Sequence, residues 1–201
     1  MASIPVHVFA RTCAVVSCSM ALSDAACQYM QREEGSAAAD WLEDGWDRER
    51  SGRMAVVGAC LSAPVSQLQH VALERLLPGT GGKAVLGKVV GGAALAPLTL
   101  SANFTAVALL QGESLERARR KIEADVGTTW LTGACYWPFV MALTYRLVPL
   151  PHRAVASTAF GSVWHIYLSA QANKEPDTRS FEEQIRGFAD KLEHWAVSQS
   201  Q

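Results

Sequence analysis

The chain has 201 residues, with 18 Lys and Arg against 19 Asp and Glu and a formal net charge of -1. That length suits one domain, and the balance of charge excludes the basic footprint of a nucleic-acid-binding protein. Mean hydropathy is only +0.08, so a soluble helical bundle has to be weighed against a membrane protein. The placement of the charges decides between them. They gather in residues 32–53 and 113–125 and after Ala172, whereas residues 54–73, 89–112, 126–145 and 154–173 carry none. A soluble amphipathic helix has charges every turn or two on its wet face. Uncharged runs of about 20 residues are long enough to cross a hydrocarbon core of about 30 Å as helices.

The first span is expected over residues 4–29, with Arg11 near one end and Asp24 and Gln28 near the other. Ser17, Ala21 and Ala25 recur every fourth residue and offer a smooth face to a neighbouring helix. An acid within a span is a functional candidate by default, but the position of Asp24 near the end favours structural pairing. The run lacks the basic start and cleavage site of a secretory signal, and its freedom from acids before Asp24 is compatible with mitochondrial import. Residues 31–53 read as a polar loop. The second span starts near Met54, where Ala55, Ala59 and Ala63 form another small-residue stripe. Its second half holds Gln67 and His70, which should face helices or water because unpaired polar groups are costly in hydrocarbon. Pro64 stands between the two halves.

Residues 77–83 superficially suggest a phosphate loop, but Leu77 and Ala84 occupy the places that need Gly and Ser or Thr. They read as a corner. The third span, residues 85–110, contains Gly87 and Gly91 and then Gly92 and Ala96, at the spacing that lets helix backbones approach closely, with Pro97 as a candidate kink. Ser114 is a candidate N-cap for a charged surface helix. A fourth span follows over 126–145. Pro149 and Pro151 break any continuous helix, and the last apolar run occupies 154–173. The aromatic residues Tyr136, Trp137, Tyr145, Trp164 and Tyr167 fall along or near the ends of these helices, where amphipathic rings favour the headgroup layer. In the tail, Phe181, Ile185, Phe188, Leu192 and Trp195 form one apolar face at helical spacing. Surrounding acids favour docking on a partner or a second copy over the membrane surface, with Phe181, Phe188 and Trp195 as anchors. The expected fold is therefore all-α, an integral membrane bundle of four to five helices over residues 1–173, followed by a polar tail, 174–201, with an amphipathic helix.

Trp137-Pro138, Val148-Pro149, Arg153, Trp164 and Tyr167-Leu168-Ser169 occur in an order and spacing that resembles the C-terminal signature of the Mpv-seventeen / twenty-two-kilodalton peroxisomal membrane protein family. Asp24 and Gln28, the segment from Asp47 to Arg53, Pro64 and Pro97 fall where that family carries similar residues. Several of its polar positions are changed: Met141, Thr144-Tyr145, His165 and Gly91-Gly92 stand where relatives have Gln, Asn-Phe, Asn and Asp-Gln. The resemblance implies a mitochondrial inner membrane protein, with the peroxisomal membrane as the alternative location.

No H-E-x-x-H, G-x-S-x-G or dinucleotide fingerprint is present, and no pair of carboxylates lies inside the apolar runs. Catalysis, a cofactor and a metal site are not expected. The five cysteines, Cys13, Cys18, Cys27, Cys60 and Cys135, are odd in number and lack a C-x-x-C pair, as suits reduced thiols acting as small apolar residues. His70 has no second ligand at metal spacing. Two functions remain: a structural or accessory component of a larger membrane assembly, with lipids and other subunits as partners, or a small-solute pore that serves organelle membrane homeostasis. A pore needs polar groups on inward faces at mid-membrane depth. The changed polar positions favour packing, while Gln67, His70, Asn103, Arg146 and His165 remain candidates to rim a cavity.

Overall fold

A computed structural model describes residues 5–32 and 41–175, and in the tail residues 179, 183, 185–187, 189 and 190. Among the described residues there are helices and turns but no strands. Helix α1 spans Val6–Gln31, α2 Arg48–Leu76, α3 Gly82–Leu110, α4 Leu115–Leu147, α5 Arg153–Phe160 and α6 Ser162–Asn173. Three of them, α1, α2 and α3, are long and apolar enough to cross a membrane by composition alone. The chain passes up and down, so that the end of α1 meets the start of α2 and the end of α6, and the start of α4 pairs with the residues that follow α6. The opposite end gathers the end of α2, the start of α3, the end of α4 and the start of α5.

The outer surface is apolar. Leu22, Leu68, Leu98 and Phe139 are 69–71% exposed on four different helices, where a soluble bundle would place polar groups. This removes the soluble reading and makes the chain an all-α membrane protein. Inside, Val16, Met20, Met54, Val57, Leu100, Phe104 and Trp164 form the main core.

Several boundaries differ from the sequence expectation. The polar loop is shorter, because Asp47 accepts a hydrogen bond from the Arg50 backbone N–H at 2.8 Å and caps α2 from Arg48. Ser114 does cap a helix, accepting from the Arg117 backbone N–H at 3.2 Å. That helix runs without interruption into the fourth span: α4 is a single element of 33 residues. The last apolar run is broken at Gly161 into α5 and α6. A Cβ there would stand 2.7 Å from the Ser157 carbonyl oxygen and 2.9 Å from the Trp137 ring, so the break lets the indole lie against bare backbone. The turn between α4 and α5 is the expected Pro-rich corner, with a 3-10 turn over Leu150–His152.

The small-residue stripes serve contacts within the chain. A Cβ at Gly58 would meet the Ser17 Cα at 3.0 Å and the Val16 carbonyl oxygen at 3.1 Å, while the Ser17 hydroxyl donates to the Ala55 carbonyl at 2.9 Å. Gly87 and Gly91 receive Leu77 and Leu73 respectively. Ahead of Pro64, α2 takes one π-type turn, Gly58–Ser62, with the Ala63 N–H bonded five residues back to Gly58. Pro97 lies inside α3 and, lacking an N–H, leaves the Ala93 carbonyl without its in-helix donor. The Trp130 indole N–H fills that place at 2.9 Å.

Candidate functional site

Two buried polar clusters hold opposite ends of the bundle, and an uncharged cavity lies between them. At the first end, Asp24 is fully buried. Its Oδ1 accepts from Arg50 Nε at 2.9 Å and from the Ser169 hydroxyl, and its Oδ2 accepts from Gln28 and Ser51, both at 2.7 Å. Gln28 also accepts from the Asp47 backbone N–H at 2.9 Å. Arg50 reaches Ser169 at 3.2 Å. One carboxylate thus ties α1, the start of α2 and the end of α6. Alongside it, Lys121 pairs with buried Asp125 at 3.1 Å and donates to the Lys174 carbonyl at 2.6 Å. The Lys174 ammonium stands 3.1 Å from the other Asp125 oxygen, close enough for an ion pair but outside hydrogen-bond angles. Burial pulls the Lys121 pKa below its ordinary value against the opposing pull of Asp125.

At the other end, Glu74 Oε2 accepts from Lys88 at 2.7 Å and from Arg153, and the Gly79 N–H reaches Oε1 at 3.2 Å. Lys88, fully buried, also donates to the Gly79 carbonyl at 2.6 Å. Gly79 has a φ of +94°, a conformation that glycine adopts without penalty, and this turns the 77–83 corner back onto the cluster. Arg153 donates to the Val148 carbonyl at 3.0 Å, so it fastens the corner both to a helix-end carbonyl and to a carboxylate. The fully buried Tyr145 ring lies 5.2 Å from the Lys88 ammonium and 5.1 Å from the Arg153 guanidinium, within cation–π range. Its hydroxyl is 3.2 Å from His70 Nδ1, and Ser157 stands 3.4 Å from the other ring nitrogen.

Between the clusters is a cavity of about 190 Å³ to which all six helices contribute. His70, Asn103 and His165 line it, as does Met141. Gln67 is buried elsewhere and Arg146 is exposed, so neither rims the cavity. Ser62, Ser66, Gln69, Thr129, Ser157 and Thr158 supply further polar lining that sequence reasoning did not single out. Among the described residues, no group of three or more His, Cys, Asp and Glu stands close enough to hold a metal ion.

The structure brings together most of the signature residues. Asp24, Gln28 and Ser169 share the first cluster. Arg153 anchors the second, and Val148 supplies it a carbonyl, with Pro149 following. Trp137 and Trp164 pack edge to face at 6.0 Å, and Trp164 contacts Tyr136 and Tyr167. Leu168 joins the core and Pro138 lines the cavity. Pro64 and Pro97 act through helix geometry away from the charged groups. Phe181, Phe188 and Trp195 lie outside the described residues. Sequence reasoning missed Glu74 and Lys88. Lys88 was legible as the one charge inside the third expected span; Glu74, directly after an uncharged run, carried no distinguishing sign.

An apolar-surfaced helical bundle clamped by internal ion pairs is an integral membrane protein. The family model for the Mpv17 / PMP22 family matches residues 108–169. The mitochondrial inner membrane protein Mpv17 of Xenopus laevis is 30% identical over 131 residues, 65% of this chain and 74% of that protein. Mpv17 of Bos taurus is 30% identical over 136 residues, 65% and 76% of the two chains. Protein SYM1 of Saccharomyces cerevisiae is 28% identical over 139 residues, 66% and 71%. The chain belongs to the Mpv17 / PMP22 family and is a protein of the mitochondrial inner membrane. No solved structure matches it.

Proposed function

We propose that this protein is a non-catalytic component of a larger assembly in the mitochondrial inner membrane, in which its charged signature residues serve the fold. The observation that carries this reading is the internal pairing of buried charge. Asp24, Lys88, Lys121, Asp125 and Arg153 each face an opposite charge of the same chain. A general acid, base or nucleophile needs a group free to meet substrate, and an ion path needs unpaired polar groups along its length. Breaking these pairs to free one partner would leave the other buried and uncompensated.

Purification in a gentle detergent, followed by a native gel and identification of what co-migrates, tests the reading. It expects a band well above the 21.7 kDa chain that contains other proteins in fixed proportion. A band of the chain alone, or of its oligomer, would overturn it. The second reading, a small-solute pore, is favoured by the cavity and its uncharged polar lining. It requires the clusters at both ends to open, because they flank the cavity on either side.

A further inference from the structure

The cavity has properties that packing alone does not require. It lies at mid-length of α1 to α4 and is closed by α5 and α6 on either side of their break at Gly161, and among the described residues no Asp, Glu, Lys or Arg contributes to its wall. A charged molecule placed there would lose its hydration without meeting a counter-charge. Val16, Met20, Leu100 and Met141 supply apolar wall, and the Trp137 and Trp164 rings supply flat surface. The volume of about 190 Å³ exceeds the engineered apolar cavity of roughly 150 Å³ that admits benzene. Water filling it would find few hydrogen bonds along the apolar part of this wall.

One polar group on the wall stands out. Thr129 is fully buried and lines the cavity, and among the described residues its hydroxyl has no hydrogen-bond partner. Buried hydroxyls are nearly always paired, so an orphan on a residue that lines a cavity points to a ligand's hydrogen-bonding group, which the hydroxyl would meet once the side chain turns toward it. The Gln69 amide also lines the wall, held against Gly92, where a Cβ would stand 3.2 Å from its nitrogen.

We propose that this cavity is a binding site for a small, uncharged molecule with a flat apolar body and one hydrogen-bonding group that pairs with Thr129. The site goes beyond the accessory reading and holds whether the chain works alone or within an assembly.

Phenol is the probe, with benzoate and benzylammonium as charged counterparts of similar shape. Quenching of tryptophan emission in the purified full-length chain reads occupancy, since Trp130, Trp137 and Trp164 line the cavity. Phenol should quench saturably and bind at least about tenfold tighter than either ion, as expected when no counter-charge is present. Thr129→Val keeps the shape but removes the hydroxyl; it should weaken phenol about fivefold, the worth of one ordinary hydrogen bond, without lowering the thermal midpoint. Ala134→Leu and Ala96→Leu, which fill the cavity from two different helices, should each abolish saturable quenching. The proposal is overturned if quenching is non-saturable and unchanged in the filled variants, if benzylammonium or benzoate binds as well as phenol, or if Thr129→Val leaves phenol affinity unaltered.

Discussion

Asp24→Asn is the sharpest perturbation of the account, because it removes one charge and almost no volume. In the native chain both Asp24 oxygens receive donors: Arg50 and Ser169 on one, Gln28 and Ser51 on the other. An asparagine must turn its NH₂ toward one of these pairs. Facing Gln28 or facing Arg50, it sets donor against donor, and in either orientation the guanidinium, only 18% exposed, is left without a counter-charge. Removing one partner of a buried pair costs about 3–5 kcal/mol, a large share of a typical stability of roughly 5–15 kcal/mol. At roughly 2–4 °C per kcal/mol for a chain of this size, the thermal midpoint of the detergent-purified protein should fall by about 6–20 °C. The double variant with Arg50→Gln should lose distinctly less than the sum of the single losses, as expected for residues in direct contact. A fall under about 2 °C, or strictly additive losses, would refute the reasoning.

Arg153→Lys keeps the charge but cannot hold Val148 and Glu74 with one planar fork, so protein abundance should fall, as read by immunoblot of membrane fractions, before any permeability is selectively altered. Trp130→Phe should cost about 1–3 kcal/mol by orphaning the Ala93 carbonyl, and Pro97→Ala in the same chain, which restores an in-helix N–H, should recover part of the lost thermal midpoint. Replacing Phe181, Phe188 and Trp195 together with Ser should release the protein from its assembly on a native gel while it remains in the membrane fraction; an unchanged high-mass band would remove the tail as the attachment device.

The long-range design was partly legible in the residues. Uncharged runs located the spans because lipid tolerates unpaired charge poorly, and Pro149 and Pro151 located the corner because proline breaks helices in any context. Asp24 was readable as a pairing residue from its place near a helix end. What stayed hidden depends on which helices meet. Glu74 and Arg153 lie 79 positions apart, and no local pattern announces that the end of α2 faces the start of α5. The boundary at Val126 looked like a helix start because charge stops there, yet a helix needs no break to pass from water to lipid. The break at Gly161 brings the Trp137 indole against bare backbone, a contact between different helices. The orphan Thr129 hydroxyl is likewise a property of the packed interior: threonine in an apolar run ordinarily bonds back to its own helix, as Thr132 does to Thr128.

The central claim is that buried charge serves the fold and carries no ions. Its most direct test is the current across a planar bilayer containing purified wild-type chain. The wild-type chain should pass no ion current above that of the lipid alone. Discrete single-channel steps whose conductance or selectivity changes in Asp24→Asn or Arg153→Lys, at unchanged protein abundance, would contradict it.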